Sequence, residues 1–121
     1  MRRDDEIRLR HMLDAACEAL SFVQGRTRDD LDMDRQLVLA LIKDIEFVGE
    51  AAAQVTEPAR RDMPRVPWEK IVGMRNRLVH AYFDINLDIV WNTAQEDLPE
   101  LIALLENDIP PRPERLTEAE S

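Results

Sequence analysis

The chain has 121 residues, 45% of them hydrophobic, 34% charged and 5% aromatic, and carries a formal net charge of −9. That length suits one compact domain, and the apolar content lies outside the disordered range. No apolar run approaches the roughly 20 residues of a membrane span, and the charged start MRRDDEIRLR lacks the apolar core of a secretory signal; together these imply a soluble, cytoplasmic protein.

Apolar positions recur at three and four residues rather than alternating, which predicts an all-α fold with about four long helices and no strand. The first helix is expected from about Asp4 to Gln24, with Leu9, Leu13, Ala16, Cys17, Leu20 and Val23 on one face and Gly25 as its stop. On that stripe Cys17, the single cysteine and so incapable of an intrachain disulfide, reads as a small hydrophobe. Thr27 is placed to cap a short turn. Asp34 is a good N-cap for a second helix reaching about Val55, in which Leu37, Leu41, Ile45, Val48 and Ala52 share a face. Gly49 inside it costs about 1 kcal/mol against alanine, and its missing side chain would permit close approach of another helix.

The segment EPARRDMPRVPW holds three prolines, which predicts a connector with at most one helical turn. A third helix should begin near Pro67 and run through GMRNRLVHAYFD. Asn86 can cap a fourth helix presenting Leu87, Val90, Trp91, Ala94, Leu98, Leu101, Ile102 and Leu105, kinked by Pro99 or split after Asp97. The domain is accordingly placed at residues 1–108, with a flexible, frayed tail from 109 to 121.

The third helix poses a problem. At 100° per residue from Trp68, Ile71, Leu78 and Tyr82 fall on one side and Val72, Val79 and Phe83 on the other, with Arg75 between them, about 20° from Trp68. A guanidinium on an apolar stripe is costly unless it meets a carboxylate, a phosphate or water. An ion pair with Glu46 or Glu50 and a functional role are both compatible with that position. Asn76 and His80, four apart, are neighbours at the stripe's edge, where an amide could orient an imidazole. Arg75 and His80 point about 140° apart on one straight helix. A two-fold partner would bring such groups together in a shared cleft.

Charge is distributed unevenly along the chain. Residues 1–56 carry 8 basic and 12 acidic side chains, residues 57–82 carry 6 and 3, and residues 83–121 carry 2 and 10. Only the segment around the motif is positive, so a polyanion should approach there, since screening over about 8 Å isolates it from the acidic remainder. The acidic residues suggest no metal cluster: His11 is isolated, and Asp29, Asp30, Asp32 and Asp34 lack a calcium-loop pattern. No metal or cofactor is expected.

Arg75 to Tyr82, R-N-R-L-V-H-A-Y, resembles the R-x4-H-x-Y signature of HepT-like toxins in the HEPN superfamily, including the asparagine after the arginine. DIEFVGEAA in the second helix, VPWEKIVGMRN before the motif and YFDINLDIVWNTAQEDLPEL from its tyrosine onward are similar to the same pattern, so the resemblance runs to about Asp108. It implies a homodimeric, up-and-down HEPN helical bundle. It further implies a metal-independent endoribonuclease, the toxin of a toxin–antitoxin pair, with its site in the cleft between protomers. Arg75 would then stabilise charge on the scissile phosphate of an RNA substrate, His80 would transfer protons and Asn76 would organise the site. Tyr82 would receive AMP from a cognate minimal nucleotidyltransferase antitoxin. Two other classes fit the residues: a non-catalytic nucleotide- or protein-binding HEPN dimer, and a structural helical dimer with Arg75 in an ion pair and His80 inert.

Overall fold

The computed structural model describes residues 2–81 and 84–109, with the backbone alone at residues 79–81. Helix α1 spans Arg3–Val23 and ends at Gln24 before Gly25, whose φ of 76° is the left-handed conformation that favours glycine. Helix α3, Arg35–Gln54, starts where the Asp34 carboxylate accepts the Leu37 N–H at 3.1 Å. Between them lies the short helix α2, Asp30–Met33. Thr27 does not cap it as the sequence suggested: the Thr27 N–H instead donates to the Asp30 carboxylate at 2.7 Å.

Helices α1 and α3 pack along their length and run antiparallel. At one end Asp5 at the start of α1 accepts the Thr56 N–H (2.8 Å) and hydroxyl (2.7 Å), just beyond α3; at the other, the carboxyls of Glu18 and Asp44 are neighbours. Leu9, Met12, Ala16 and Ala19 of α1 meet Leu41, Ile45, Val48 and Ala52 of α3 in one core. Cys17 departs from the expected stripe and is exposed. Thr56 stands at the N-cap position of α4, Glu57–Asp62, with its hydroxyl on Asp5 rather than on the helix; α4 is slightly longer than the single turn expected of the proline-rich connector.

The expected third helix is not continuous. Helix α5 covers Trp68–Val72, Gly73 interrupts it, and helix α6 covers only Met74–Leu78. The chain then turns extended: strand β1, Val79–Ala81, pairs antiparallel with β2, Asp84–Ile85, matching Val79 to Ile85 and Ala81 to Asp84. The backbone N–H of Asn86 closes the ribbon on the Leu78 carbonyl at 2.8 Å. This pairing supplies the backbone partners that a further helical turn would have supplied, so the helix stops. The fold remains all-α apart from this two-stranded ribbon.

Asn86 caps α7, Leu87–Asn92, its side chain accepting the Ile89 N–H at 3.1 Å. A π-helical turn, Thr93–Asp97, follows, and α8, Leu98–Asp108, then packs on α1. Pro99 has no N–H to give a helical bond to the carbonyl four residues earlier, and the wider turn absorbs that loss, so the chain stays helical through Asp97 and Leu98 rather than splitting after Asp97. The expected flexible tail from residue 110 onward lies outside the described residues. Among the described residues no helix is long and apolar enough to cross a membrane.

Candidate active site on helices α3 and α6

Gly49 lets the α5 backbone approach α3 closely. A Cβ added there would stand 3.3 Å from the Val72 carbonyl oxygen and 3.4 Å from that of Ile71, so the glycine allows the crossing that brings α6 beside Glu46. Ile71, Met74 and Leu78, at intervals of three and four, face inward and are at most 1% exposed. Val72, Arg75 and Asn76 face outward. The interruption at Gly73 and the inward turn of Met74 therefore remove Arg75 from the buried stripe on which the sequence placed it.

Among the described residues, Arg75 is an exposed cation held at one point. Its Nε donates to Glu46 Oε1 at 2.8 Å, with the arginine side chain 49% exposed and the glutamate 22%. The ion pair anticipated from the sequence exists, but it is not buried. Glu46 also lies 3.6 Å from Lys43 Nζ through its other oxygen, and Lys43 sits over the Phe47 ring at 5.0 Å. Because Glu46 binds Nε and no partner for the two terminal nitrogens of the guanidinium occurs among the described residues, those nitrogens form an open fork, the edge that grips a phosphate or carboxylate in two places. Asn76 lines the same open pocket of about 460 Å³, with Gly49, Glu50, Ala53 and Val72.

His80 lies in β1 rather than on the motif helix, so the 140° separation calculated for one straight helix does not apply. Its side chain is outside the described structure, as is the whole of Tyr82. Arg75 and Asn76 are thus seen together; their disposition relative to His80 is seen only along the backbone, across the helix-to-strand change after Leu78.

The positive segment is also less of a patch than its charge count suggested. Arg60 bonds the Ala52 carbonyl at 3.0 Å and lies 5.5 Å from the Trp68 ring, and Lys70 pairs with Asp97 at 3.2 Å. Arg61, Arg65 and Arg77 are exposed. Glu46 and Glu50 bring negative charge to the Arg75 pocket itself.

Residues 12–107 match the family described as ribonuclease HepT-like, a span that contains the whole motif. The chain belongs to the HepT-like family. A predicted RNase of Caldanaerobacter subterraneus subsp. tengcongensis is 34% identical over 93 residues, covering 77% of this chain and 83% of that protein. A predicted ribonuclease HepT of Thermococcus cleftensis is 32% identical over 93 residues, covering 74% and 84%. A predicted RNase of Methanocaldococcus jannaschii is 30% identical over 100 residues, covering 83% and 92%. No solved structure gives a significant match.

The HepT-like fold here carries two carboxylates whose importance the sequence reading missed. Asp5 is 2% exposed, and the N–H and hydroxyl of Thr56 hold its carboxyl below the ordinary value of 3.8. Asp44 is 3% exposed; burial, then the hydrogen bond and charge of Glu18, push it up to about 7. Both were detectable by the reasoning applied to Arg75. Asp5 stands four residues before Leu9 and Asp44 three after Leu41, each on its helix's apolar stripe. Among the described residues no three His, Cys, Asp or Glu side chains are grouped to hold a metal ion.

Proposed function

We propose that this HepT-like chain is a toxin endoribonuclease that cleaves RNA without a metal ion, acting as a homodimer with its site between protomers. The observation that carries the reading is Arg75: a half-exposed arginine, fixed through Nε by Glu46 with its fork open, at the first position of the R-x4-H-x-Y motif inside the family-matched span. The relatives' names support ribonuclease chemistry at the level of the family.

The chemistry needs three services. The ribose 2′-hydroxyl loses a proton and attacks the adjacent phosphorus, and the 5′-oxygen leaves as it gains a proton. Negative charge on the pentacoordinate phosphate needs a fixed cation in between. Arg75 supplies the cation, and Asn76 beside it orients substrate or imidazole through its amide. His80 moves the protons, since an imidazole changes charge near pH 6.5. One histidine cannot be acid and base in the same step, so two copies in one cleft complete the set.

Tyr82, two residues after His80, is the point of control. A minimal nucleotidyltransferase antitoxin transfers AMP from ATP to its phenolic oxygen, with loss of the phenolic proton and release of pyrophosphate, adding bulk and negative charge where the RNA phosphate binds. The test is cleavage of total RNA and tRNA by the purified protein in EDTA, beside His80→Ala and Arg75→Ala variants of verified fold. Cleavage by the wild type that both substitutions abolish is the expected result. An inactive wild type, or undiminished cleavage by His80→Ala, would move the assignment to a non-catalytic binding dimer.

A further inference from the structure

Two carboxyl groups meet across the α1–α3 packing where no cation is at hand. Asp44 stands on the inward stripe of α3, is 3% exposed, and its Oδ2 has no hydrogen-bond partner among the described residues. Its neighbour across the joint is the carboxyl of Glu18, at an exposed position on α1. Both line a cleft of about 710 Å³ between the two helices, with Asp14 and Phe47 alongside. The basic residues of that cleft, His11 and Arg8, precede Glu18 by about 10 and 15 Å along the helix axis at 1.5 Å per residue. Cations elsewhere on and around α1 and α3 are engaged: Arg10 with Glu6 (2.9 Å), Arg26 with Asp34 (3.4 Å), Lys43 and Arg75 with Glu46 (3.6 and 2.8 Å), and Arg60 with the Ala52 carbonyl (3.0 Å).

A buried carboxylate with neither a cation nor a partner for one of its oxygens is costly, and a second carboxyl beside it adds repulsion. A proton removes both costs, because the oxygen closed off in the core then belongs to a neutral acid. Burial, and then Glu18, accordingly raise Asp44 from 3.8 to about 7. The far end of the same helix pair is built the opposite way. There the N–H and hydroxyl of Thr56 stabilise the Asp5 carboxylate and hold it below 3.8.

We propose that the Glu18–Asp44 pair is a proton-operated clamp on the α1–α3 joint: Asp44 keeps a proton and donates it to the Glu18 carboxylate while the helices are closed, and its loss loosens that end. Because folded Asp44 holds its proton more tightly than the unfolded chain does, its contribution is complete below pH 3.8 and is lost as pH rises through about 7. Asp5 contributes above 3.8 and fails in acid, so the two ends of the joint respond to pH in opposite directions. Helix α3 also carries Glu46, which holds Arg75, so the element that presents the candidate site is braced by a group that titrates near neutrality. The clamp stands apart from the ribonuclease reading, and no RNA is needed to test it.

The test is urea unfolding of the full chain between about pH 5 and pH 8, at one protein concentration, as wild type, Asp44→Asn and Glu18→Gln. Both histidines are present in every variant, so the comparison isolates the carboxyl pair. The wild-type folding equilibrium should fall about 10- to 100-fold across that range. In Asp44→Asn, whose amide supplies a donor that does not titrate, this fall should be absent, and the variant should be more stable than wild type at the alkaline end. Glu18→Gln removes the neighbouring charge and should flatten the fall in part, which gives a reading should Asp44→Asn fail to fold. A difference infrared spectrum of the wild type between about pH 6 and pH 8 should show the stretch of a protonated carboxyl disappearing. An equal fall in Asp44→Asn, a Glu18→Gln profile identical to that of the wild type, or no protonated carboxyl at the lower pH would overturn the proposal.

Discussion

Substituting Arg75 by alanine separates a functional arginine from a structural one. The side chain is 49% exposed and makes one 2.8 Å bond from Nε to Glu46, whose own side chain is 22% exposed. Ion pairs this close to solvent are worth about 0.2–1 kcal/mol. Arg75→Ala leaves Glu46 with Lys43 at 3.6 Å and with access to water, so no unpaired charge becomes buried. The stability loss should therefore stay below about 1 kcal/mol; breaking a buried pair costs about 3–5 kcal/mol. Transition-state charge is another matter: removing one preorganised donor typically lowers turnover about 10²–10³-fold. The assay pairs urea unfolding, at a fixed protein concentration because a dimer's stability depends on it, with tRNA cleavage in EDTA. A small shift in the unfolding midpoint beside a hundredfold loss of cleavage is the expected outcome. A loss above about 3 kcal/mol would refute the argument from exposure and return Arg75 to a structural role.

The same geometry yields further expectations. Asp5→Asn removes a buried carboxylate that accepts two hydrogen bonds from Thr56 and should cost about 1–3 kcal/mol at pH 7 in urea unfolding. Because the folded value of Asp5 lies below the unfolded 3.8, its contribution is present above that pH and fades as pH falls through the folded value, so the variant and wild type should converge in strong acid. Gly49→Val sets a side chain against the Val72 carbonyl, 3.3 Å from the added Cβ, and should lower both stability and cleavage by pushing α5 and α6 off α3; unchanged melting would show that the contact is slack. Tyr82→Phe should keep RNA cleavage while losing any mass increment on incubation with a nucleotidyltransferase partner and ATP. Modification of the Phe variant would place the acceptor elsewhere.

Some of this protein is written locally. Asp34 and Asn86 cap α3 and α7 because a short polar side chain before a run of helix formers has a backbone N–H within reach whatever surrounds it. The inward faces of α1, α3 and α8 follow from spacing, and the irregular turn before Pro99 from a missing N–H. The motif too was legible, as a contiguous string. Its geometry was not. Gly73 can sit within a helix or end one, and only the pairing of Val79 with Ile85 and the Asn86–Leu78 bond, between segments separated in sequence, makes the chain leave the helix before His80. The facing of Arg75 depends likewise on which side of α6 meets α3, settled by Met74 and Leu78 turning inward and by the clearance at Gly49. Periodicity specifies which residues share a face, whereas the choice between the core, a neighbouring carboxylate and open water belongs to contacts between elements. Local signals were therefore enough for α1, α3 and α8, for the caps at Asp34 and Asn86 and for the motif as a string, whereas contacts between elements split the third helix and made Arg75 an exposed cation and Asp44 a buried acid.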